Sequence, residues 1–214
     1  MHGHVYTIGY SEDAAPESDG IIQKYTMEGE HVMSFGTPYK DPSPFVRTSL
    51  AGRGTLECNA THRVIAYTHD LIPVITGFSD TGDVRWRVLL EDAHIDPAEQ
   101  GRTAEGKFSM LMPSPSSEDG NTSAVRFRSG VESGAFVVWY YTFVSGRADK
   151  HHLFRVHAAS GKGAYIGWLP MWKGGIEQPS VLALDAEYWY TEKSSPYPQL
   201  GIYRRTNAPQ RAAF

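Results

Sequence analysis

The chain has 214 residues, of which 41% are hydrophobic and 12% aromatic, and this length suits one globular domain with a sizeable core. Its formal net charge is −4 and it contains no dense Lys/Arg block, which argues against nucleic acid or an anionic membrane surface as the partner. Cys58 is the only cysteine, so an internal disulfide and a thiolate metal cluster are excluded.

The first predicted unit covers residues 4–36. Residues 5–10 are β-branched and aromatic in alternation, which predicts a strand. After a polar loop, residues 21–26 and 31–35 are predicted to form a hairpin. Its turn places Gly29 at a positive φ, where residues with a side chain are strained.

The second predicted unit covers residues 54–90. Strands are predicted at 64–68, 74–78 and 84–89, because these runs are rich in β-branched and aromatic residues. The segment Asp80-Thr81-Gly82 is the predicted turn between the last two strands.

The third predicted unit covers residues 107–169, and the fourth covers residues 180–206. Within the third unit, residues 134–143 are apolar at almost every position, which predicts a central strand buried on both faces. Gly161 marks the predicted turn of the last hairpin in this unit. The fourth unit shows three strand-like runs and ends one strand short of a four-stranded sheet.

Two longer connections separate these elements. Residues 91–106 are polar and unpatterned and are predicted to form a loop, with a short helix beginning at Asp96 as the one regular element considered. Residues 113–122 are rich in Pro, Ser, Asp and Gly and are also predicted to form a loop. Long loops on a rigid sheet scaffold are where we expect a binding surface.

A short pattern of strand, turn and strand recurs along the chain, and this repeat predicts the fold. Its clearest copies are residues 22–36 and 77–86, in which an acidic or polar residue and a Gly form the turn. A unit this small cannot bury its apolar face alone and therefore stacks on its neighbours. We predict an all-β fold, a partial β-propeller of about four blades of antiparallel strands.

These two segments resemble blades of six-bladed β-propellers of the NHL-like and TolB-like kind. The resemblance implies four-stranded sheets arranged radially around a channel. It implies no particular activity, because this scaffold hosts binding modules, lyases and lactonases. Since four units are visible where the family has six, we expect the chain to be a carboxy-terminal portion of a longer propeller. The chain shows no signal peptide, and a missing amino-terminal segment is where we expect one, so the compartment stays open.

The sequence predicts no catalytic residue, no metal site and no cofactor. Among the nine histidines, His62 and His69 are an odd number of positions apart and would face opposite sides of one continuous strand. No Gly-x-Ser-x-Gly elbow occurs, and Cys58 has no recognisable local partner. A metal held by residues from different blades stays open, because such ligands converge in space and not in sequence.

Aromatic residues are the predicted binding residues. Trp139 and Tyr141 lie in the apolar strand of the third unit, and Trp172 lies in a connection, where packing between blades explains an indole less well. Such rings stack on a sugar or a peptide at the mouth of a channel. Packing between sheets uses the same residue types, so both roles stay open.

The function expected from the sequence is a non-enzymatic binding or scaffolding module for a protein, peptide or glycan partner. Self-association, or association with the missing blades, is a further expected partnership, while nucleic acid and a membrane span are not expected. The alternative is a propeller-type lactonase or lyase with a metal in the central channel. The sequence thus leans against an enzyme without deciding the question.

Overall fold

The computed structural model describes residues 3–9, 20–37, 53–90, 99–111, 122–132, 134–144, 147–170, 180–184, 187–193 and 199–204. Within these ranges every regular element is a β-strand. In chain order, the strands are β1 (His4–Ile8), β2 (Ile22–Thr26), β3 (His31–Phe35), β4 (Gly54–Asn59), β5 (Val64–His69), β6 (Val74–Phe78), β7 (Val84–Leu89), β8 (Glu99–Arg102), β9 (Phe108–Leu111), β10 (Thr122–Glu132), β11 (Ala135–Val144), β12 (Arg147–His157), β13 (Gly163–Pro170), β14 (Ser180–Leu184), β15 (Tyr188–Lys193) and β16 (Gln199–Arg204).

The strands form antiparallel sheets in which each strand pairs with the next along the chain. Sheet 1 has the order β1-β2-β3, sheet 2 the order β4-β5-β6-β7, sheet 3 the order β10-β11-β12-β13 and sheet 4 the order β14-β15-β16. Strands β8 and β9 form a separate two-stranded hairpin. Each larger sheet is therefore a simple meander, which is the arrangement of a propeller blade.

The first strands of successive sheets lie next to one another. Strand β4 contacts both β1 and β10, and β10 also contacts β14. The strands that open the sheets therefore lie in one row, β1, β4, β10 and β14, and the remaining strands of each sheet extend away from that row. This confirms the predicted fold class, an all-β partial β-propeller of about four blades.

Strand β5 is buried on both faces because each face packs against a different sheet. Toward sheet 1, the buried cluster consists of Ile21, Ile22, Phe35, Ile65, Tyr67 and Phe78. Toward sheet 3, it consists of Val64, Ala66, Ile75, Leu90, Phe127, Phe136, Val138, Tyr140, Phe154, Val156 and Ala158. Full burial of one large aliphatic side chain contributes about 1.5–3 kcal/mol, so these two clusters hold the three sheets together.

The turn glycines connect neighbouring sheets. Gly82 has a φ of +86°, and a Cβ at this position would lie 2.7 Å from the Cβ of Phe35 in sheet 1. Gly161 has a φ of +68°, and a Cβ there would lie 2.6 Å from Cγ of Trp86 in sheet 2. The last hairpins of sheets 2 and 3 thus each pack, through the turn glycine, against an aromatic residue of the preceding sheet. The positive φ predicted for Gly29 is confirmed at +89°.

Some predicted elements need correction. Residues 99–106 are not an open loop or a helix, because Glu99–Arg102 pairs with Phe108–Leu111 around a turn closed by Thr103 and Gly106. The strand expected to open the third unit at residue 107 therefore belongs to this hairpin, and sheet 3 begins at Thr122. Asp96 and residues 113–121 lie outside the described residues.

The prediction of a buried central strand in the third unit is confirmed for its first half. Strand β11 lies between β10 and β12, and residues 135–140 are all at most 4% exposed. Both faces are covered because alternate side chains enter different clusters.

Candidate functional site

Of the three aromatic residues predicted to bind a ligand, the structure describes the side chain of one. Trp139 is 1% exposed and packs with Val137, Leu153 and Ile166, on the face of sheet 3 that points away from sheet 2. Tyr141 lies in β11, but its side chain is outside the described residues, and Trp172 is outside them altogether. The structure thus places Trp139 in packing between strands, and a binding role for the three residues stays a prediction.

His69 is a packed residue at the end of β5. Its ring meets the edge of the Tyr67 ring, with centroids 4.6 Å apart. Burial, with the positive charge of Arg87 as a smaller cause, lowers the pKa of His69 to about 4. The imidazole is therefore neutral at pH 7. Within the described ranges, no three His, Cys, Asp or Glu side chains lie together as metal ligands.

The strongest candidate site lies between sheets 2 and 3 and was not predicted. It consists of Thr55 and Glu57 on β4, Thr68 on β5 and Ser129 on β10, and is called the Glu57 cluster below. In the register of β4 with β5, Thr55 is opposite Thr68 and Glu57 is opposite Ala66. Opposed residues of an antiparallel pair share a face, and Ala66 packs toward sheet 3. Thr55, Glu57 and Thr68 therefore all face sheet 3.

Ser129 faces the same space from the other side. It lies two residues from Phe127 and two from Val131, which both pack toward sheet 2, and alternate residues of a strand share a face. The amide of Phe127 donates a hydrogen bond of 2.8 Å to the carbonyl oxygen of Asp70, whose own amide bonds to the carbonyl of Arg53 at the start of β4.

The other end of β10 is tied to the other end of β4. Asn59 donates from Nδ2 to the carbonyl oxygen of Glu132 at 3.4 Å. Strand β10 therefore runs alongside β4 in the same direction, with residues 127 and 132 beside residues 53 and 59. Ser129 then falls beside Thr55, and Glu57 lies two residues further along the same face of β4, so the alignment brings the four polar side chains of the Glu57 cluster to one stretch of the interface.

The polar atoms of this cluster are poorly satisfied. The hydroxyls of Thr55, Thr68 and Ser129 are buried without a hydrogen-bond partner among the described residues. Glu57 is half-buried, and the described residues give its carboxyl neither a hydrogen bond nor an ion pair. Burial raises the pKa of Glu57 to about 7. Each buried unsatisfied polar group destabilises the folded state by about 1–3 kcal/mol, so without a further partner the cluster would lower the stability of the chain by several times that amount.

The sequence did not predict this cluster, because nothing in the local pattern of β4 indicates a buried polar site. The run Thr55-Leu56-Glu57-Cys58-Asn59 alternates like any strand with one solvated face. The only available signal was that β4 opens a sheet in a propeller, where a neighbouring sheet covers the face that would otherwise be solvated.

The outward face of sheet 1 is a second candidate site. Val5 and Val32 are 44% and 46% exposed. Beside them, Gln23 is buried and donates from Nε2 to the carbonyl oxygens of Gly9 and Gly20, at 3.2 and 2.7 Å. The Oε1 atom of Gln23 lies 3.0 Å from Nε2 of His31. A fixed polar network thus borders exposed aliphatic side chains.

The last sheet also presents aliphatic side chains to solvent. On β16, Leu200 and Ile202 are 64% and 58% exposed. Ile202 is opposite Tyr190 in the register of β15 with β16, so the half-buried Tyr190 shares this face. Exposed aliphatic side chains thus lie on the two outer strands of sheet 1, two residues apart on β16 of sheet 4, and also on β7, where Val84 and Leu89 are 54% and 55% exposed.

No protein-family model matches the chain, and no curated protein matches it in sequence. Across the described ranges, no helix is long and apolar enough to cross a bilayer.

Proposed function

We propose that this chain is a non-enzymatic binding or scaffolding module on a β-propeller of the NHL-like or TolB-like kind, and that its partner is a protein or peptide. The observation that carries the proposal is the exposed aliphatic side chains of the first and last described sheets, Leu200 and Ile202 two residues apart on β16, and Val5 and Val32 on the outer strands of sheet 1. Grouped exposed apolar side chains mark interaction surfaces on soluble proteins.

The chemistry of these surfaces favours a peptide or protein over a glycan. Sugars are held by stacking on aromatic rings, whereas among the described residues the exposed large hydrophobic side chains are Met27 and six aliphatic residues. Strand β1 pairs only with β2 among the described strands, so its other edge, on the side where the opening strands of the sheets lie, offers backbone groups to an extended segment. Val5 stands on that edge strand, where it would line a pocket for the segment's side chains.

A phage-displayed peptide library, selected on the immobilised full chain, tests this function. We expect enriched extended aliphatic sequences whose binding falls at least tenfold with the double variant Val5→Lys/Val32→Lys. The matched control is Ala104→Lys/Ala159→Lys, which adds the same charge at two exposed turn positions. Failure to enrich any peptide, or equal binding by both double variants, would contradict the proposal.

The rival function is a lactonase or lyase with a metal in the central channel. No specific observation among the described residues favours it. Elemental analysis of the purified protein checks this rival directly, because a stoichiometric transition metal together with turnover of a lactone would establish it.

A further inference from the structure

We propose that the Glu57 cluster binds one hard cation, such as Na⁺ or Ca²⁺, between sheets 2 and 3. The donors are the carboxylate of Glu57 and the hydroxyl oxygens of Thr55, Thr68 and Ser129. The inference goes beyond the binding function proposed above and does not depend on it.

The donor chemistry selects the class of ligand. All four groups offer oxygen, and oxygen-only donor sets suit hard cations such as Ca²⁺ and Mg²⁺ more than they suit zinc or copper, which take nitrogen and sulfur. The three hydroxyls come from β4, β5 and β10, so the donors approach from two different sheets. A single ion is small enough to be shared by donors that project from packed strands.

The cationic groups nearby are already engaged. Arg128 forms an ion pair with Asp70 across the same interface, and Arg155 forms one with Glu132. The amide of Asn59 donates to the backbone of β10. Arg53, at the start of β4, is exposed, and burial is the only cause that raises the pKa of Glu57, so no cationic side chain among the described residues balances this carboxylate. A bound cation would balance its charge while satisfying the three hydroxyls.

The expected affinity is weak, because one carboxylate supplies the only full charge. Oxygen sites with few charged ligands bind Ca²⁺ with Kd values of roughly 10⁻⁴–10⁻³ M. The expected role is structural, since the ion would tie β4 to β10 at the centre of the propeller.

Thermal unfolding of the full chain tests the proposal at pH 8.5, in choline chloride and then with NaCl, CaCl₂ or MgCl₂ at equal ionic strength. At ten times Kd, we expect one of these cations to raise the Tm by about 3–6 °C. The shift should vanish in Glu57→Gln and persist in Glu105→Gln, a control at an exposed carboxylate of the β8–β9 hairpin.

Isothermal calorimetry with the same salts gives a second measurement that does not require Glu57→Gln to fold. We expect one site per chain in the wild type and at least tenfold weaker binding in Ser129→Ala. A Tm that is the same in every salt would show that none of these cations binds the folded chain and would overturn the proposal. A cation effect that survives both Glu57→Gln and Ser129→Ala would place the ion elsewhere and overturn it equally.

Discussion

Gly161 lies directly against the ring of Trp86, and a Cβ at Gly161 would come within 2.6 Å of Cγ of that ring. The same relationship joins Gly82 to Phe35 one sheet earlier. In both cases, glycine serves two needs at once, a positive φ in a tight turn and a close approach between sheets. The repeat of the sequence is therefore also a repeat of the contact that joins one sheet to the next.

Replacing Gly161 with Ala should destabilise the protein by about 2–4 kcal/mol, because the methyl group is strained at a positive φ and also collides with Trp86. Gly29→Ala is the matched control, since Gly29 has a φ of +89° but a Cβ added there would have no neighbour within 4 Å. Its expected loss is about 1–2 kcal/mol, from backbone strain alone. Urea unfolding measures both, and equal losses would show that the contact with Trp86 is relaxed at no cost.

Asp70→Asn should cost about 1–3 kcal/mol, because Arg128 would lose its partner in the partly buried interface between sheets 2 and 3. The control is Asp80→Asn, which breaks the ion pair with Arg63 on the surface. Exposed pairs of that kind contribute little, so chemical denaturation of the control should resemble that of the wild type. A control as damaging as Asp70→Asn would refute this assignment.

The pH dependence of the free energy of unfolding should report the titration of Glu57. Its pKa is about 7 in the folded chain and 4.5 ordinarily, so the folded state holds the proton more tightly. Stability that is complete below pH 4.5 is then lost as the pH rises to 7, by about 2–3 kcal/mol in buffer free of metal ions. Because His69 opposes this loss between pH 4.5 and 6.5, the informative quantity is the difference in unfolding free energy from the wild type. For Glu57→Gln this difference should grow with pH by that amount, and for Glu105→Gln it should stay nearly constant, as measured by urea unfolding at intervals of half a pH unit.

The titration of His69 should change stability with pH in the direction opposite to that of Glu57. Its pKa is about 4 in the folded chain against 6.5 ordinarily, so the unfolded state holds the proton more tightly. Stability present above pH 6.5 is lost as the pH falls toward 4, by about 2–3 kcal/mol. Glu57 and His69 therefore offset each other between pH 4.5 and 6.5. In that window, stability should rise with pH in Glu57→Gln and fall with pH in His69→Gln. A curve that does not rise in Glu57→Gln would refute the assignment of His69, and a curve that does not fall in His69→Gln would refute that of Glu57.

The sequence was most informative where local chemistry decides the structure. Gly29, Gly82 and Gly161 were all predicted as turn residues, and all three have a positive φ. The buried central strand was also readable, because a strand that is apolar on both faces has no stable place at a surface. The hairpin of β8 and β9 was missed because Glu99-Gln100-Gly101-Arg102 contains no β-branched or aromatic residue. Strand β8 is specified by its pairing with β9 and not by its own propensity.

The candidate site could not be predicted, because it depends on the alignment of strands far apart in sequence. Thr55 and Ser129 are brought together only when β10 lies alongside β4, and no local pattern fixes that alignment. Trp139 illustrates the same limit, since its residue type suits both a ligand surface and a core. Only the neighbouring Val137 and Leu153 show that its ring is packed inside sheet 3.

The double burial of β5 has a consequence for how the molecule opens. Because Ile65 is held by sheet 1 and Ala66 by sheet 3, loosening either neighbour alone leaves one side of β5 covered. Amide protons of β5 should therefore exchange with solvent only when the whole chain unfolds, while those of β1 and β16, each paired on one side among the described strands, exchange through local fraying. The second sheet should therefore be the last part of the chain to open, and the amide protons of its middle strands, β5 and β6, should exchange most slowly.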